Sequence, residues 1–332
     1  MAVSPIEMLT PTLAWQLRSC PHAVGLRQPY DAVQGQQRRN PPPAALGKAA
    51  HSVLEHAFTD VGLDEDLPNG WFDETWDAAV RHERTSCTDT GPPQTWRRFS
   101  IVKRGTRRAV TELRALALAS GAQPIVEKEK TWAEGKLAGR PDLIFAYQDG
   151  SAEVVDFKTG SDAGGEPPES ELHQLSLYAV LVRAVYGLTT KTLRVVRCEG
   201  VGWSRSVTER DVDLVYRDVL QRLEAFNRNF SNTEPLATPG APCAHCRQVL
   251  DCDVVWSVRP DSLTVVDGLL SSVEDEAGAL SLAVQTDVGQ LLVVGCPNRP
   301  VKVGDSVRIA HLRKVSEGAF RWQPDRTQMS WK

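Results

Sequence analysis

The stretch Ala152-Glu-Val-Val-Asp-Phe-Lys-Thr-Gly160 follows Gly139-Arg-Pro-Asp142 closely in the chain, and together they predict the centre of the fold. Runs rich in β-branched and aromatic residues that end at a glycine are typical of strands. Residues two apart on a strand share one face, so Asp156 and Lys158 are expected side by side. The hydrophobic residues between and before them should point into the core on the other face.

Two aspartates and a lysine in these stretches have the chemistry of a divalent metal site. Gln148-Asp-Gly150 predicts a hairpin turn, so Asp142 and Asp156 are expected on neighbouring strands. Carboxylate oxygens bind hard divalent cations, and the ammonium group of Lys158 can orient a water molecule or stabilise negative charge on a phosphate. The alternative for such a triplet taken alone is a surface hairpin with ordinary charges.

Composition narrows the class of protein. The chain has 332 residues, of which 41% are hydrophobic and 24% charged, and its formal net charge is -4. This length predicts two domains. The absence of a bilayer-length apolar stretch and of a signal-peptide pattern predicts a soluble, cytoplasmic protein without membrane association. Because the net charge is negative, any DNA-binding surface is expected to be local.

The segment from Trp96 to Arg108 is the best candidate for such a surface, since it contains six basic residues and no acidic one. On a helix the basic side chains would fall on adjacent faces, and Trp96 and Phe99 could stack on bases. The alternative is a solvated helix face with buried aromatic residues, and the helical spacing favours neither interpretation. The candidate DNA-binding residues are Arg97, Arg98, Lys103, Arg104, Arg107 and Arg108.

The last seventy or so residues change in character. Short runs rich in Val, Leu and Ile alternate there with Gly, Pro and Asp, which predicts a small β-barrel, with the oligonucleotide-binding type as one candidate. Its charges are polarised: the charged residues of 261–287 are all acidic, whereas 299–332 contains eight basic and three acidic residues. The second half could face DNA. A structural or protein-docking barrel is the alternative, because no single strand carries a series of aromatic residues.

Seven cysteines in a chain without secretion signals indicate free thiols or metal ligands rather than disulfides. Cys243, Cys246 and Cys252 lie close together, whereas Cys20 ends the first predicted helix. Four thiolates suit iron–sulfur or zinc, and a structural zinc site usually has two paired clusters. The remaining thiols are interpreted as ordinary buried or surface side chains: Cys87, Cys198 and Cys296.

Four short motifs follow one another in a specific order. They are Gly47-x-x-x-His51, Gly139-x-x-Asp142, Asp156-x-Lys158 and Gln174-x-x-x-Tyr178. The combination resembles the PD-(D/E)xK nuclease superfamily, and within it the RecB-like branch. That branch includes the nuclease domains of bacterial recombination helicase-nucleases and the stand-alone exonucleases of CRISPR adaptation. The resemblance spans roughly residues 8 to 255 and implies an α/β fold with a restriction-endonuclease-like mixed sheet flanked by helices.

The resemblance implies a ligand set for Mg²⁺ or Mn²⁺. His51, Asp142 and Asp156 would bind the metal, with the backbone carbonyl of Phe157 as an additional ligand. It also implies a four-iron, four-sulfur cluster in preference to zinc, because iron–sulfur members of the branch have one early and three late cysteines. The cluster ligands would be Cys20, Cys243, Cys246 and Cys252, and the cluster would fasten the two ends of the nuclease domain together.

The same resemblance assigns the remaining polar residues. Lys158 would be the catalytic lysine, and Gln174 and Tyr178, one helical turn apart, would position the substrate. Either Glu127 or Glu129 could join the metal site, and since the two share one strand face the sequence does not decide between them.

These implications combine into one functional hypothesis. Residues 1–258 would form an iron–sulfur nuclease domain with a helical insert at about 71–120, and residues 259–332 the accessory barrel. The protein would be a metal-dependent DNA nuclease, an exonuclease acting on single-stranded or splayed ends in DNA repair, CRISPR adaptation or mobile-element defence. Leu46-Gly-Lys-Ala-Ala50 lacks the pattern of a phosphate-binding loop, so an ATP-driven helicase would have to be a separate partner protein. The other expected partners are an integrase or a CRISPR or defence protein. The alternatives are a catalytically silent DNA-binding or scaffold subunit and an endonuclease that cuts internally.

Overall fold

The computed structural model describes residues 3–34, 40–89, 91–126, 131–133, 136–160, 165–200, 202–276, 278–324 and 326–331. The chain forms two compact units. The mixed-sheet unit comprises Ile6–Trp15 and Gln34–Ala225, and the β-rich unit comprises Met1–Pro5, Gln16–Val33 and Phe226–Lys332.

The helices are α1 (Pro11–Ser19), α2 (Pro21–Gln34), α3 (Pro42–Thr59), α4 (Trp71–Arg84), α5 (Phe99–Ser120), α6 (Glu169–Tyr186), α7 (Glu209–Asn229) and α8 (Asp253–Val258). Proline stands at the first position of α1, α2 and α3, where its fixed φ suits a helix and its missing N–H has no intrahelical partner to lose. None of the helices in the described segments is long and apolar enough to cross a membrane.

The central sheet of the mixed-sheet unit has five strands. They are β1 (Gln123–Ile125), β4 (Leu143–Ala146), β5 (Ser151–Lys158), β6 (Thr189–Arg197) and β7 (Trp203–Ser206), in the order β1-β4-β5-β6-β7. Only the β5–β6 pair is parallel, and α6 lies between these two strands in the chain. A separate hairpin pairs β2 (Thr131–Ala133) with β3 (Leu137–Gly139). The architecture is therefore α/β with mixed sheet pairing, as expected.

Burial on both faces explains why β5 is central. Val155 and Phe157 face a core shared with α3, α4 and α5, while Val154 and Asp156 lie on the face toward α6. All six residues from 152 to 157 are buried, as expected for a strand covered by helices on both sides. Helix α5 approaches β6 so closely that a Cβ on Gly105 would lie 2.3 Å from the carbonyl oxygen of Cys198. A glycine is required at this crossing.

The C-terminal strands of the β-rich unit form one seven-stranded sheet. They are β8 (Val265–Glu276), β9 (Ala279–Thr286), β10 (Gly289–Pro297), β11 (Ser306–Ala310), β12 (Arg313–Ser316), β13 (Ala319–Arg321) and β14 (Gln328–Trp331). Their order is β12-β13-β10-β9-β8-β11-β14. Within the described residues β12 and β14 do not pair with each other, so the predicted closed barrel is not found and the oligonucleotide-binding type is not confirmed.

The β-rich unit also includes residues from the early part of the chain. Helix α2 belongs to the β-rich unit, where His22 Nδ1 lies 2.9 Å from Thr233 Oγ1. The segment with the late cysteines packs there as well, because Cys243 and Cys252 share a hydrophobic cluster with Ala310 of the C-terminal sheet. The division of the chain into a nuclease domain and an accessory domain stays a prediction.

Candidate active site

Helix α3 and the start of β4 bring the first two motif residues together. His51 lies on α3, and its Nδ1 atom is 2.9 Å from Oδ1 of Asp142, which stands just before β4. The other carboxylate oxygen of Asp142 accepts a hydrogen bond of 2.8 Å from the backbone N–H of Phe157 on β5. The His51 ring also packs edge-on against the Phe157 ring, with 5.7 Å between the ring centroids. Asp142 is thus fixed from two directions.

Asp156 and Lys158 share a face of β5, as the strand period predicts. Lys158 Nζ lies 2.7 Å from Asp156 Oδ2, and the Asp156 side chain is only 3% exposed. Among the described residues this buried carboxylate oxygen has no well-aligned hydrogen-bond donor, and the ammonium group of Lys158 at 2.7 Å offsets part of its charge. A buried carboxylate oxygen without an aligned donor is suited to a cation.

The last motif on α6 continues this chain of contacts. Gln174 Oε1 accepts a hydrogen bond of 3.0 Å from Lys158 Nζ, and Gln174 Nε2 donates to the Tyr178 hydroxyl at 2.9 Å. The one-turn spacing of Gln174 and Tyr178 places both on the helix face toward β5. Together these contacts restrict where the ammonium group of Lys158 can move.

Burial and neighbouring charges shift the pKa values of three residues of the site. Burial raises the pKa of Asp156 to about 6, and the nearby charge of Asp142 acts in the same direction, while Lys158 and His51 oppose it. Burial lowers the pKa of His51, but the charge and hydrogen bond of Asp142 outweigh it and the net shift is upward. The pKa of Tyr178 is raised by burial, so the phenol stays protonated. Ionised Asp156 is therefore disfavoured by burial and by Asp142, and Lys158 and His51 offset only part of this cost.

The donor set fits a hard divalent cation by its chemistry, since it offers two carboxylates and an imidazole. In the described segments, however, no group of three or more His, Cys, Asp or Glu side chains is arranged to hold a metal ion. The candidate metal ligands pair with protein groups instead: His51 and Asp142 pair with each other, and Asp156 pairs with Lys158. A cation entering between the carboxylates would have to displace Lys158 from Asp156. Glu127 and Glu129 lie outside the described residues.

One ion pair beside the site was not predicted. Arg140, two residues before Asp142, forms an ion pair with Glu55, which lies one helical turn after His51 on α3. The i to i+4 spacing of His51 and Glu55 was visible in the sequence, but the partner of Glu55 is distant in the chain. The pair anchors the segment before β4 to α3 and so supports the position of Asp142.

The glycines of the motifs are explained by close packing. A Cβ on Gly139 would lie 2.9 Å from Leu181 and 3.0 Å from the Tyr178 ring, so a side chain there would push α6 away. A Cβ on Gly47 would lie 3.3 Å from Thr159 Oγ1, which is tight but less severe. Both glycines let a helix approach the segments that carry the acids.

The basic segment before and within α5 is mostly engaged with the protein. Trp96 and Phe99 are buried in the hydrophobic core and are not available to stack on bases. Lys103 and Arg107 both pair with Asp73, at 2.8 and 2.6 Å.

Four of the six candidate basic residues therefore have partners, since Arg98 also pairs with Glu199 and Arg108 donates to backbone carbonyls near the end of β6. Arg97 and Arg104 are exposed. The structure thus favours the alternative interpretation, in which the helix has a solvated face and its aromatic residues are buried. DNA binding by the six basic residues stays a prediction.

The four candidate cluster cysteines all belong to the β-rich unit. Burial raises the pKa of Cys246 to about 11, and the like charges of Cys20, Cys243 and Cys252 add to the shift. These thiols therefore lie within electrostatic reach of one another. The carbonyl of Cys246 is 2.9 Å from His311 Nε2 and accepts a hydrogen bond from Gln328, so the C-terminal sheet holds this loop.

The cluster itself is not supported by this arrangement, because the described part of the chain offers no ready group of metal ligands. None of the seven cysteines forms a disulfide, and Cys87, Cys198 and Cys296 are buried single thiols. The absence of disulfides agrees with free thiols or metal ligands. Metal binding by the four grouped cysteines stays a prediction.

Comparison with known proteins decides the family. A family model described as the PD-(D/E)XK nuclease superfamily matches residues 9–252. The chain belongs to this superfamily. Superfamily members are usually nucleases that hydrolyse phosphodiester bonds, typically with Mg²⁺ or Mn²⁺, and membership implies DNA as the substrate.

Other comparisons add little to the superfamily match. No curated protein matches the chain. A solved structure titled "Crystal structure of SSO0001" shares 15% identity and a TM-score of 0.24, covering 52% of this chain and 84% of that one. The superfamily match includes all four motifs and all four grouped cysteines, and residues 253–332 lie beyond it.

Proposed function

We propose that the chain is a metal-dependent deoxyribonuclease of the RecB-like branch, acting as an exonuclease on single-stranded or splayed DNA ends. The observation that carries the proposal is the buried carboxylate of Asp156, flanked by Lys158 at 2.7 Å and close enough to the His51–Asp142 pair for their charges to shift its pKa. Superfamily membership supports hydrolysis. The order and spacing of the four motifs support the branch and, through it, exonuclease action in repair, CRISPR adaptation or mobile-element defence.

Each residue has a task in this mechanism. Asp142, Asp156, His51 and the carbonyl of Phe157 would hold Mg²⁺ or Mn²⁺, which when bound polarises a phosphate and lowers the pKa of a coordinated water. The hydrogen bonds from His51 and the Phe157 N–H keep the Asp142 carboxylate in one orientation. Lys158, once released from Asp156, places its ammonium group beside negative charge that develops on the phosphate.

Gln174 and Tyr178 act on Lys158 as positioning residues. Because Gln174 accepts a hydrogen bond from Lys158 Nζ and donates to Tyr178, it limits the lysine to a small region next to Asp156. Loss of the Gln174 contact should leave the lysine present but poorly placed.

The direct test is incubation of end-labelled single-stranded and double-stranded DNA with Mn²⁺, Mg²⁺ or EDTA. We expect metal-dependent release of short products from single-stranded ends, and no cleavage by Asp156→Ala or Lys158→Ala. Asp213→Ala is a matched control, because Asp213 forms an ion pair with Arg183 in the same unit away from the four motifs. Undiminished cleavage by Asp156→Ala would disprove the active site.

The substrate form separates the remaining alternatives. Cleavage of closed circular single-stranded DNA would show an endonuclease, and metal-independent binding without cleavage would show a scaffold subunit. Stimulation of cleavage by a helicase, or joint purification with an integrase or a defence protein, tests the expected partners.

We also propose a four-iron, four-sulfur cluster on Cys20, Cys243, Cys246 and Cys252. Their shared location in the β-rich unit and their mutual effect on pKa support the proposal. Anaerobic purification followed by iron and sulfide analysis should find four of each per chain by the proposed formula. Cys20→Ser should lose this content and lower the melting temperature, whereas Cys296→Ser should retain the iron. One zinc in place of iron would refute the cluster.

A further inference from the structure

The hairpin formed by β12 and β13 lies at one edge of the seven-stranded sheet, outside the residues matched by the superfamily model. In this antiparallel pair Arg313 stands directly opposite Arg321. Opposite residues of an antiparallel pair point to the same face, with Cβ atoms about 4.5–5.5 Å apart. Both side chains are exposed. Two positive charges are thus held side by side by the register of the sheet.

The core side of the same strand confirms which face the arginines occupy. Phe320, the neighbour of Arg321, packs against the hydrophobic core of the sheet. Because side chains alternate along a strand, Arg321 points to the outer face, and Arg313 points there with it. Val294 of β10 lies beside Arg321 on this face.

The pair lacks the acidic partners that other basic residues of the unit have. Arg308 pairs with Asp253 at 3.3 Å, Arg259 with Asp287 at 3.3 Å, and Lys314 with Glu317 at 3.3 Å. In the described part of the chain, neither the Arg313 nor the Arg321 side chain forms an ion pair or a hydrogen bond. Like charges directly opposite each other destabilise a sheet. Folding alone therefore does not favour this arrangement.

We propose that Arg313 and Arg321 form a binding site for the phosphate backbone of DNA. Guanidinium groups match the geometry of phosphate oxygens, and neighbouring charges on one DNA strand are about 3.4 Å apart along a helix. One phosphate or two adjacent ones can therefore neutralise both arginines. The acidic residues Glu274, Asp275 and Glu276 lie on β8, three strands away in the sheet order, so the unit is electrically polarised. The choice of DNA among polyanions rests on the proposed nuclease function.

A binding assay without cleavage tests the site. A fluorescein-labelled single-stranded oligonucleotide of mixed sequence is titrated with full-length protein in EDTA over a series of salt concentrations. Arg313→Gln/Arg321→Gln should weaken binding about tenfold at low salt and make the slope of log K against log salt less negative by about 1.4, or about 0.7 per lost contact. Arg259→Gln/Arg308→Gln is the matched control, because it removes the same charge from arginines that have acidic partners. It should change the slope by much less.

A charge reversal separates binding from structure. Arg313→Glu replaces a repulsive cross-strand pair with an attractive one, so it should raise the melting temperature while it weakens DNA binding. Unchanged affinity with a raised melting temperature, or equal losses in the glutamine variant and its control, would overturn the proposal. Because the assay does not need cleavage, its outcome is independent of the activity test. A wild type that cleaves DNA while the arginine variants bind normally would refute the site alone.

Discussion

The buried carboxylate of Asp156 should make the metal-free protein less stable as the pH rises. Its pKa is raised from 3.8 to about 6, chiefly by burial and then by the charge of Asp142. Between these two values the unfolded chain ionises while the folded protein still holds the proton. The contribution of protonated Asp156 to the free energy of unfolding is therefore fully present below pH 3.8 and is lost as the pH rises through 6. At about 1.36 kcal/mol per pH unit, the total loss is about 3 kcal/mol.

Asp156→Asn removes this titration and isolates its contribution. The carboxamide resembles the protonated acid in shape, so the two proteins should differ least in acid. The free energy of unfolding of the variant minus that of wild type should rise by about 2 kcal/mol between pH 4.5 and 7.5. The remainder of the total of about 3 kcal/mol is lost below pH 4.5, where the unfolded chain begins to ionise. The variant should thus gain stability at neutral pH while it loses cleavage.

Urea denaturation in EDTA at several pH values measures this difference. Asp149→Asn is a control of opposite sign, because hydrogen bonds from Ser151 lower the pKa of the exposed Asp149. That variant should lose stability relative to wild type as the pH rises through the normal aspartate range. A difference between Asp156→Asn and wild type that is constant with pH, or that falls, would refute the electrostatic reasoning. Mn²⁺ should stabilise wild type more than the variant.

Three further substitutions test individual contacts within the mixed-sheet unit. Gln174→Ala should lower kcat more than it raises KM, because Lys158 remains but loses its hydrogen bond, and unchanged kcat would exclude a positioning role. Gly105→Ala should destabilise the protein by about 3 kcal/mol, the upper range for overpacking, because the new Cβ would lie 2.3 Å from a backbone carbonyl oxygen. A melting temperature within error of the wild-type value would contradict this. Arg114→Leu should cost about 3 kcal/mol, because the buried guanidinium donates to the carbonyls of Gly62 and Glu65 at 2.7 Å, and hydrogen exchange should rise first in that loop.

The sequence predicted the parts of the site that depend on local spacing. The face shared by Asp156 and Lys158 follows from the strand period, and the joint orientation of Gln174 and Tyr178 follows from the helical one. These features need no knowledge of which strand pairs with which.

Features that depend on distant partners were missed or left undecided. The first helix was expected to end at Cys20, and α1 ends at Ser19, but the start of α2 at Pro21 was not predicted. Proline is compatible with the first position of a new helix as well as with the end of the preceding one. The Glu55–Arg140 pair joins residues far apart in the chain, and the burial of Trp96 depends on helices that pack around it. Local spacing contains no information on such contacts.

The C-terminal sheet shows the same limit most clearly. Short strands were predicted for this region, but neither their number nor their order was. The closed barrel depended on a pairing between edge strands that the described residues do not make. The opposition of Arg313 and Arg321 likewise depends on register, since a shift of one residue would turn one arginine to the other face. Composition shows only that this end of the chain is basic.

The charges near Asp156 and those of Arg313 and Arg321 would affect metal binding and DNA binding separately. The carboxylates of Asp142 and Asp156, whose charge Lys158 and His51 offset only in part, attract a divalent cation but disfavour a phosphate when no cation is bound. The net charge of -4 gives no general attraction to DNA, and most of the basic segment around α5 already has protein partners. A separate pair of unneutralised arginines would hold DNA by its backbone without altering the chemistry at Asp156. On this reasoning, loss of the arginine pair should raise KM and leave kcat unchanged, whereas loss of Lys158 should abolish turnover.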